Sequence, residues 1–555
     1  MEDMTKPTLP QDIMLLICQE LGARREFTTL YHCSMAGSRL ASLAVEQLYG
    51  IMEIMDPFIE SKLQAARLWR SILLSSRGAT LYPYCAYIRA LSLGRLVDCL
   101  DDIRPDLSLR DFFFEGLMDH FLVLQESNRP PKSTRSRLPP LDNIEIIKRC
   151  ADSITQYIKG LADSNGTAVA LTHLEASSVQ PNTLPTWISR LGTLTSLRLQ
   201  DGSVLGVEAT RAIAEYCPNF VELTCFHFQS RTAAEDMEAF FRALRPNSLQ
   251  SFEVLSRNNL GQVTLSALST HARSLRVLHL RSLLPSAVKS LHLLSDCTAL
   301  ESLDIETTNR RELDNFSEAE FTQIAKWISS CKGLRELSFS HFRDALPLLK
   351  QVLEAPDIRL ERLEVQDYQS ASQEITKATW RALGQQDRLE LLTIASQDGL
   401  PDGLVLNQHP ELTDSICRLS NLVSLNLIQA YVNSVEIRRI VAALPRLEEL
   451  SFGGSLIDNS ILEHLGRLPK LVLLSINAIT VFKFSDLQDF VEKLDPVTNQ
   501  GIKVELLNQW YEVKLTDEEE IWLNDYLADN FNGRIAFSYP NDPDELHEAD
   551  FSDSD

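Results

Sequence analysis

The sequence predicts an α/β protein in which short strands alternate with helices along most of the 555 residues, after a small all-helical N-terminal segment. Three observations support this fold class. A six-residue pattern of apolar residues, LxxLxL, recurs at nearly regular spacing. Amphipathic stretches with apolar residues three and four positions apart lie between the copies. The first fifty residues follow neither pattern and contain three short helical stretches.

The recurring pattern is the strongest signal in the chain. Apolar residues at its fourth and sixth positions predict a short strand with one buried face. Twelve copies give a mean period of about 27 residues, and an earlier copy begins at Ile88. The twelve begin at Leu171, Leu194, Phe220, Leu249, Leu275, Leu300, Leu334, Leu360, Leu389, Leu422, Leu447 and Leu471.

The stretches between the copies predict helices. Met237, Phe240, Phe241 and Leu244, for example, fall on one helical face. A strand, a turn and a helix within about 27 residues define the leucine-rich repeat. Such repeats stack into a solenoid, a curved horseshoe with a parallel β-sheet on its concave face and helices on its convex face.

Ten cysteines occur without any CxxC pair, which favours reduced thiols over a disulfide framework. Three of them, Cys217, Cys297 and Cys331, precede the first motif residue by three positions. Since they belong to separate repeat layers, we expect buried core thiols rather than metal ligands. We expect neither a metal nor a cofactor.

The charge and hydropathy of the chain argue against nucleic-acid and membrane partners. The net charge of −23 would repel nucleic acid from most of the surface. No apolar run reaches the roughly 18–20 residues that span a membrane, and the apolar stretch from Ile13 to Cys18 is too short and lacks the basic flank of a signal peptide. We therefore expect no nucleic-acid or membrane partner and a cytoplasmic and/or nuclear location.

No known catalytic motif is present: the chain lacks GxxxxGK[ST], GxGxxG, HExxH and GxSxG. The histidines do not pair at helical spacing. We therefore assign no catalytic residue and expect a protein that is not an enzyme.

The predicted organisation has five parts. Residues 1–51 form a three-helix domain, 52–87 a helical linker packing on the solenoid, and 88–507 the repeat solenoid. Within the solenoid, 88–170 is predicted to hold degenerate repeats, with LSLRDFFFE as a candidate strand, IEIIKRCADSITQYIKGL as a helix and a loop around 129–140. Residues 508–540 are predicted to cap the last repeat. Residues 541–555 carry seven acids and are predicted to be a disordered tail.

The three N-terminal helices, predicted at about 10–21, 27–34 and 38–48, carry a spaced set of residues. A unit this small buries little surface and should lean on the rest of the chain or on a partner. The set resembles the F-box, in the form common in fungi, although the tryptophan often found in the third helix is missing. It comprises Leu9, Pro10, Asp12, Ile13, Ile17, Leu21, Leu30, Cys33, Ser34, Arg39, Leu40, Leu43, Ala44, Leu48 and Tyr49.

The repeats resemble the cysteine-containing type of leucine-rich repeat. With both the F-box-like set and these repeats, the chain is similar to F-box/leucine-rich-repeat proteins. That resemblance implies a substrate receptor of an SCF (Skp–cullin–F-box) ubiquitin ligase. It would bind a Skp-type adaptor, and through it a cullin, while its repeats bind a target protein for ubiquitination. The chain would otherwise be monomeric. The adaptor contacts implied are Leu9, Pro10, Ile13, Ile17, Leu40, Ala44 and Tyr49.

One alternative stays open, a repeat-based binding scaffold whose F-box-like helices only cap the solenoid. In either case, residues between and just after the buried motif positions should line the concave side and bind the partner. These substrate-binding candidates are Arg198, Phe226, Phe228, His279, Arg281, Asp304, Glu306, Glu364 and Tyr368.

Overall fold

A computed structural model describes residues 9–51, 61–125, 139–308, 318–342, 345–368, 372–396, 410–507 and 513–539. The chain forms two compact units, residues 1–275 and 276–555. The acidic tail predicted over 541–555, and most of the loop predicted around 129–140, lie outside the described residues.

The described residues of the first unit contain five strands, and each pairs in parallel with the next along the chain. Its strands are β1 (Ala90–Ser92), β2 (His173–Ala176), β3 (Ser196–Asp201), β4 (Glu222–His227) and β5 (Ser251–Val254). Its helices are α1 (Gln11–Ala23), α2 (Phe27–Ala36), α3 (Ser38–Ile51), α4 (Lys62–Ser75), α5 (Tyr84–Tyr87), α6 (Leu93–Ile103), α7 (Leu107–Phe114), α8 (Asn143–Asn165), α9 (Leu184–Arg190), α10 (Val207–Tyr216), α11 (Ala233–Ala243) and α12 (Gln262–Leu268).

In the second unit, the part of the chain that the structure describes contains ten strands, again each parallel to the next. They are β6 (Val277–Leu283), β7 (Ser302–Thr307), β8 (Glu336–Ser340), β9 (Arg362–Tyr368), β10 (Leu391–Ser396), β11 (Ser424–Val432), β12 (Glu449–Ile457), β13 (Leu473–Thr480), β14 (Lys503–Leu506) and β15 (Arg534–Phe537). The helices are α13 (Pro285–Lys289), α14 (Glu318–Ser330), α15 (Ala345–Leu353), α16 (Gln373–Leu383), α17 (Pro410–Ile416), α18 (Ser434–Ala443), α19 (Leu462–Leu465), α20 (Phe484–Val491) and α21 (Asp517–Phe531).

In neighbouring strands, residues at the same position of the six-residue motif pair with each other. Ser196 pairs with Glu222, and Arg198 pairs with Thr224. Positions four and six, such as Leu197 and Leu199, are buried in the core of the unit. The third and fifth positions point the other way and form what we call the open strand face. The predicted α/β class with parallel repeat strands is confirmed.

The region between the first two strands differs from the prediction of degenerate repeats over 88–170. Strand β1 pairs directly with β2, Ala90 opposite His173, so no further repeat strand lies between them. The stretch LSLRDFFFE is helix α7 rather than a strand, because Asp106 caps it by accepting a hydrogen bond from the N–H of Leu109 at 3.0 Å. The helix predicted in IEIIKRCADSITQYIKGL is confirmed as α8.

The segment predicted to cap the solenoid contains helix α21 and strand β15. Thr516 caps α21 in a reciprocal arrangement with Glu519. Strand β15 then pairs with β14 and continues the strand row of the second unit. Leu523 of this last helix is fully buried.

Side chains at the ends of the helices contact the backbone of the preceding repeat. The thiol of Cys217 lies 3.5 Å from the carbonyl oxygen of Leu191 one repeat earlier. The thiol of Cys331 lies at the same distance from the carbonyl of Cys297. Burial raises the pKa of Cys217, Cys297 and Cys331 to about 12. The prediction that these cysteines are core residues is confirmed.

Candidate protein-binding site

The three N-terminal helices have a very small core of their own. It consists of Cys18, Leu30 and Ala44, all fully buried. Five further side chains pack against these three without being fully covered: Leu21, Cys33, Leu40, Leu43 and Leu48. Ala41 and Val45 of α3 are also buried, at 6% and 7% exposure.

Large apolar side chains are exposed along the outer side of α1 and just before it. Leu9, Ile13, Leu16 and Ile17 are 57%, 43%, 59% and 42% exposed. Ile13, Leu16 and Ile17 lie on one helical face by their spacing, and Leu9 lies just before the helix, which begins at Gln11. We call these four residues the α1 stripe. The carbonyl of Pro10 accepts the first turn's N–H groups from Ile13 and Met14, both at 3.1 Å. Four of the seven predicted adaptor contacts, Leu9, Pro10, Ile13 and Ile17, are therefore on the surface.

The other three predicted adaptor contacts are directed into the protein. Leu40 packs on the small core, and Ala44 is part of it. The ring of Tyr49 stacks on Tyr84 with centroids 4.7 Å apart, and its hydroxyl lies 3.0 Å from the Ser71 hydroxyl. Burial raises the pKa of Tyr49. These contacts join α3 to the helices that follow it.

Sequence reasoning missed two exposed apolar side chains on α2. Tyr31 and Met35 are one helical turn apart and both are largely exposed. Their i, i+4 spacing was the available signal. With the α1 stripe, they give the N-terminal helices six large exposed apolar side chains.

In the first unit, Arg198 and Phe226 lie on the open strand face as predicted, with Phe226 47% exposed. Phe228 does not: it is fully buried. The chain leaves β4 at His227 and forms a bridge with Asn258, which turns the Phe228 ring inward. There it packs over Gly202, where a β-carbon would come within 2.4 Å of the ring.

In the second unit, Tyr368 is also buried rather than exposed. Asp367, immediately before it, has a φ of 52°, and this left-handed turn directs the tyrosine ring into the core next to Trp380, with ring centroids 6.3 Å apart. Periodicity within a strand does not reveal such a turn at the end of the strand. The remaining candidates here are His279, Arg281, Asp304, Glu306 and Glu364.

The structure brings these five residues of the second unit onto strands β6, β7 and β9. Arg281 Nε donates a hydrogen bond to Asp304 Oδ2 at 2.7 Å, and Asp304 is buried. This bond, with the charges of Asp304, Glu306 and Glu364, raises the pKa of Arg281. His279 Nε2 lies 3.0 Å from the Ser302 hydroxyl, which donates to Glu336 Oε2 at 2.9 Å. The face here is polar and predominantly acidic.

No described helix is long and apolar enough to cross a membrane. Within the same part of the chain, no three histidine, cysteine or acidic side chains come together in a way that would hold a metal ion.

Comparisons with known proteins find similarity to solved structures alone. No family model matches the chain, and no curated protein matches it either. An internalin from Listeria monocytogenes is 14% identical with a TM-score of 0.30, covering 69% of this chain and 97% of its own. The Rad7 and Elc1 complex from yeast is 16% identical with a TM-score of 0.40, covering 67% and 92%. The mouse RP105/MD-1 complex is 17% identical with a TM-score of 0.35, covering 66% and 63%. Sequence identities and TM-scores this low support no conclusion about activity or partners.

Proposed function

We propose that the chain is a substrate-receptor subunit of an SCF-type ubiquitin ligase. The α1 stripe binds a Skp-type adaptor, which connects the chain to a cullin. The open strand face binds a target protein. The chain itself has no catalytic residue in this proposal and acts by raising the concentration of target lysines near the ubiquitin-charged enzyme.

The observation that carries the proposal is the exposure of the α1 stripe. Leu9, Ile13, Leu16 and Ile17 are 42–59% exposed, whereas Cys18, Leu30 and Ala44 form a small, fully buried core among the described residues of these helices. A contiguous apolar face on so small a unit marks a surface for association. The sequence resemblance to the F-box names the partner class. In the first unit the exposed Phe226 offers an aromatic contact for a target. In the second unit the exposed Arg281, paired with the buried Asp304, offers a polar one.

The test is co-purification of the full chain with a Skp-type adaptor. The double variant Ile13→Ala/Ile17→Ala removes two side chains from the centre of the stripe, and we expect adaptor affinity to fall at least about tenfold, as for interface anchors. The matched control is Val207→Ala/Val263→Ala, which shortens two exposed apolar side chains on α10 and α12. Failure of the wild-type chain to bind the adaptor, or equal binding by both double variants, would contradict the proposal.

The alternative is a binding scaffold in which the N-terminal helices serve only to cap the first repeat. Tyr49 supports it, because its stacking on Tyr84 and its contact with Ser71 fix α3 to the following helices. The two functions differ in what the α1 stripe does. If the N-terminal helices only cap the first repeat, the chain should form no complex with the adaptor. It should still bind its target protein.

A further inference from the structure

The small core of the three N-terminal helices contains two cysteines. Cys18 of α1 is fully buried and forms this core with Leu30 and Ala44, and Cys33 of α2 packs against it from a half-buried position. Both are free thiols. Burial, and to a smaller extent the charge of Cys33, raises the pKa of Cys18. The two thiols are therefore close enough for the charge of one to act on the other.

The turn between α1 and α2 places the two cysteines at similar distances from it. Arg25 has a φ of 55°, and the N–H groups of Arg25 and Glu26 donate to carbonyls of the last turn of α1, both at 2.9 Å. This is the Schellman motif, in which a left-handed residue ends the helix. At the rise of an α-helix, Cys18 lies about 8 Å before the end of α1 and Cys33 about 9 Å after the start of α2. The two side chains thus enter the shared core at nearly the same distance from the turn.

Cys33 combines access from solvent with a second thiol nearby. All ten cysteines lie within the described ranges, and Cys33 and Cys417 are half-buried, whereas the other eight are buried. Burial raises the pKa of Cys417, and the charged groups that act on it in the described part of the chain are Arg439 and Asp414, not a cysteine. A partly exposed thiol can react with an oxidant, and a neighbouring thiol converts the product into a disulfide. Cys33 and Cys18 meet both requirements.

The cysteine pair lies next to the surface that we assign to the adaptor. Cys18 directly follows Ile17 of the α1 stripe, and Cys33 lies between Tyr31 and Met35 on α2. A disulfide holds its sulfur atoms about 2 Å apart, which is closer than two free thiols approach. Because a protein core is close-packed, drawing α1 towards α2 changes where the exposed side chains of the two helices lie.

We propose that Cys18 and Cys33 form a reversible disulfide that links α1 to α2 and weakens adaptor binding by the α1 stripe. The proposal deepens the receptor function and rests on it, because it names a regulation of the same surface. The oxidant is a small-molecule disulfide of the oxidised glutathione class.

The reaction is thiol–disulfide exchange in two steps. The thiolate of Cys33 attacks one sulfur of oxidised glutathione, the S–S bond of the oxidant breaks, and one glutathione thiolate leaves. The thiolate of Cys18 then attacks the sulfur of Cys33, the mixed disulfide breaks, and the second glutathione thiolate leaves. The two cysteine protons end on the two glutathione thiols. Two cysteines are thus oxidised, and one oxidised glutathione is reduced to two molecules of glutathione.

The first measurement detects the disulfide and needs no adaptor. The purified full chain is reduced, incubated with oxidised glutathione, treated with N-ethylmaleimide to block free thiols, and digested with trypsin without reduction. Trypsin cleaves after Arg24 and Arg25, so Cys18 and Cys33 fall on separate peptides. We expect mass spectrometry to show these two peptides joined. Absence of the joined pair would overturn the proposal.

The second measurement compares adaptor affinity before and after oxidation. The oxidised chain should bind a Skp-type adaptor at least about fivefold more weakly, because anchor residues of the stripe lose their fit, and dithiothreitol should restore binding. Cys33→Ser should keep the affinity of the reduced chain after the same treatment. The matched control Cys417→Ser changes the other half-buried cysteine and should lose affinity as the wild type does. Cys33→Ala replaces Cys33→Ser if a serine disturbs the small core.

Equal affinity of the reduced and oxidised chains, or the same loss of affinity in Cys33→Ser as in the wild type, would overturn the proposal. The failure of the receptor function looks different. If the reduced chain does not bind the adaptor while the joined peptides form, the receptor function and the regulation that rests on it are both contradicted, and the disulfide stands.

Discussion

The buried imidazole of His271 accepts a hydrogen bond at Nδ1 from the backbone N–H of Leu249, with the two nitrogens 3.3 Å apart. Its Nε2 lies 3.1 Å from the carbonyl oxygen of Phe241 at the end of α11, so this nitrogen carries the proton. Gln386 makes the same pair of bonds in its own repeat, accepting from Leu360 and donating to Leu353. In these two repeats a neutral side chain therefore bridges the backbone of the repeat before it.

Acid should destabilise the first unit through His271. Burial lowers its pKa below the ordinary 6.5, so protons bind preferentially to the unfolded chain as pH falls. The free energy of unfolding contributed by this group is present above pH 6.5 and is lost below it. We expect His271→Gln to reduce that loss, measured as urea unfolding midpoints at about pH 5 and about pH 7.5. The control is His120→Gln at an exposed position, and equal acid sensitivity of wild type and His271→Gln would contradict the prediction.

Alkali should destabilise the repeats through their buried thiols. Burial raises the pKa of Cys297 and Cys331 from 9.0 to about 12, so the unfolded chain loses these protons first. Their contribution is fully present below pH 9 and disappears as pH rises towards 12. Cys297→Ala/Cys331→Ala should be less stable at neutral pH and show a weaker decline above pH 9, measured by chemical unfolding across that range. Cys33→Ala, at a half-buried position, serves as the control.

Phe226 and Phe228 should respond in opposite ways to truncation. Phe228→Ala leaves a cavity in the core and should cost about 3–5 kcal/mol. Phe226→Ala, on the open strand face, should change the free energy of unfolding by less than about 0.5 kcal/mol. Denaturant unfolding of the two variants compares them directly. Similar losses would mean that the two rings do not differ in burial as the structure shows.

Gly202 and Phe228 should be energetically coupled. A β-carbon at Gly202 would meet the Phe228 ring at 2.4 Å, so Gly202→Ala should destabilise the unit by roughly 1–3 kcal/mol through overpacking. Phe228→Leu frees space and should relieve part of that cost. A double-mutant cycle measures the coupling, which we expect to reach at least about 0.5 kcal/mol. Additive effects would contradict the close approach.

The α1 stripe should tolerate charge, whereas the small helical core should not. Ile13→Asp/Ile17→Asp places carboxylates at exposed positions and should leave the thermal unfolding midpoint nearly unchanged. Ala44→Asp buries a carboxylate without a partner and should unfold the N-terminal helices, seen as lost helical circular dichroism. A large loss of stability in the first variant would show that the stripe packs against the chain itself.

The repeat period and the alternation of apolar residues were sufficient to predict the class of fold. Leu197 and Leu199, two positions apart, specify a strand with one buried face, and the copies before and after them specify its neighbours. The same local rule failed for Phe228 and Tyr368, because the backbone turns after the strand and reverses which side the next residue faces. The described residues between β1 and β2 also departed from the rule, because LSLRDFFFE, which alternates like a strand at Leu107 and Leu109, forms helix α7.

The sequence by itself determined the repeat solenoid class, the three N-terminal helices and the exposed positions Leu9, Ile13 and Ile17, because each depends on spacing within a single element. Only the tertiary structure decided that Ala44 is buried and that Cys33 packs against the same small core as Cys18. These relations join residues of different helices. They depend on how α1, α2 and α3 pack against one another, and spacing within one element carries no information about that packing.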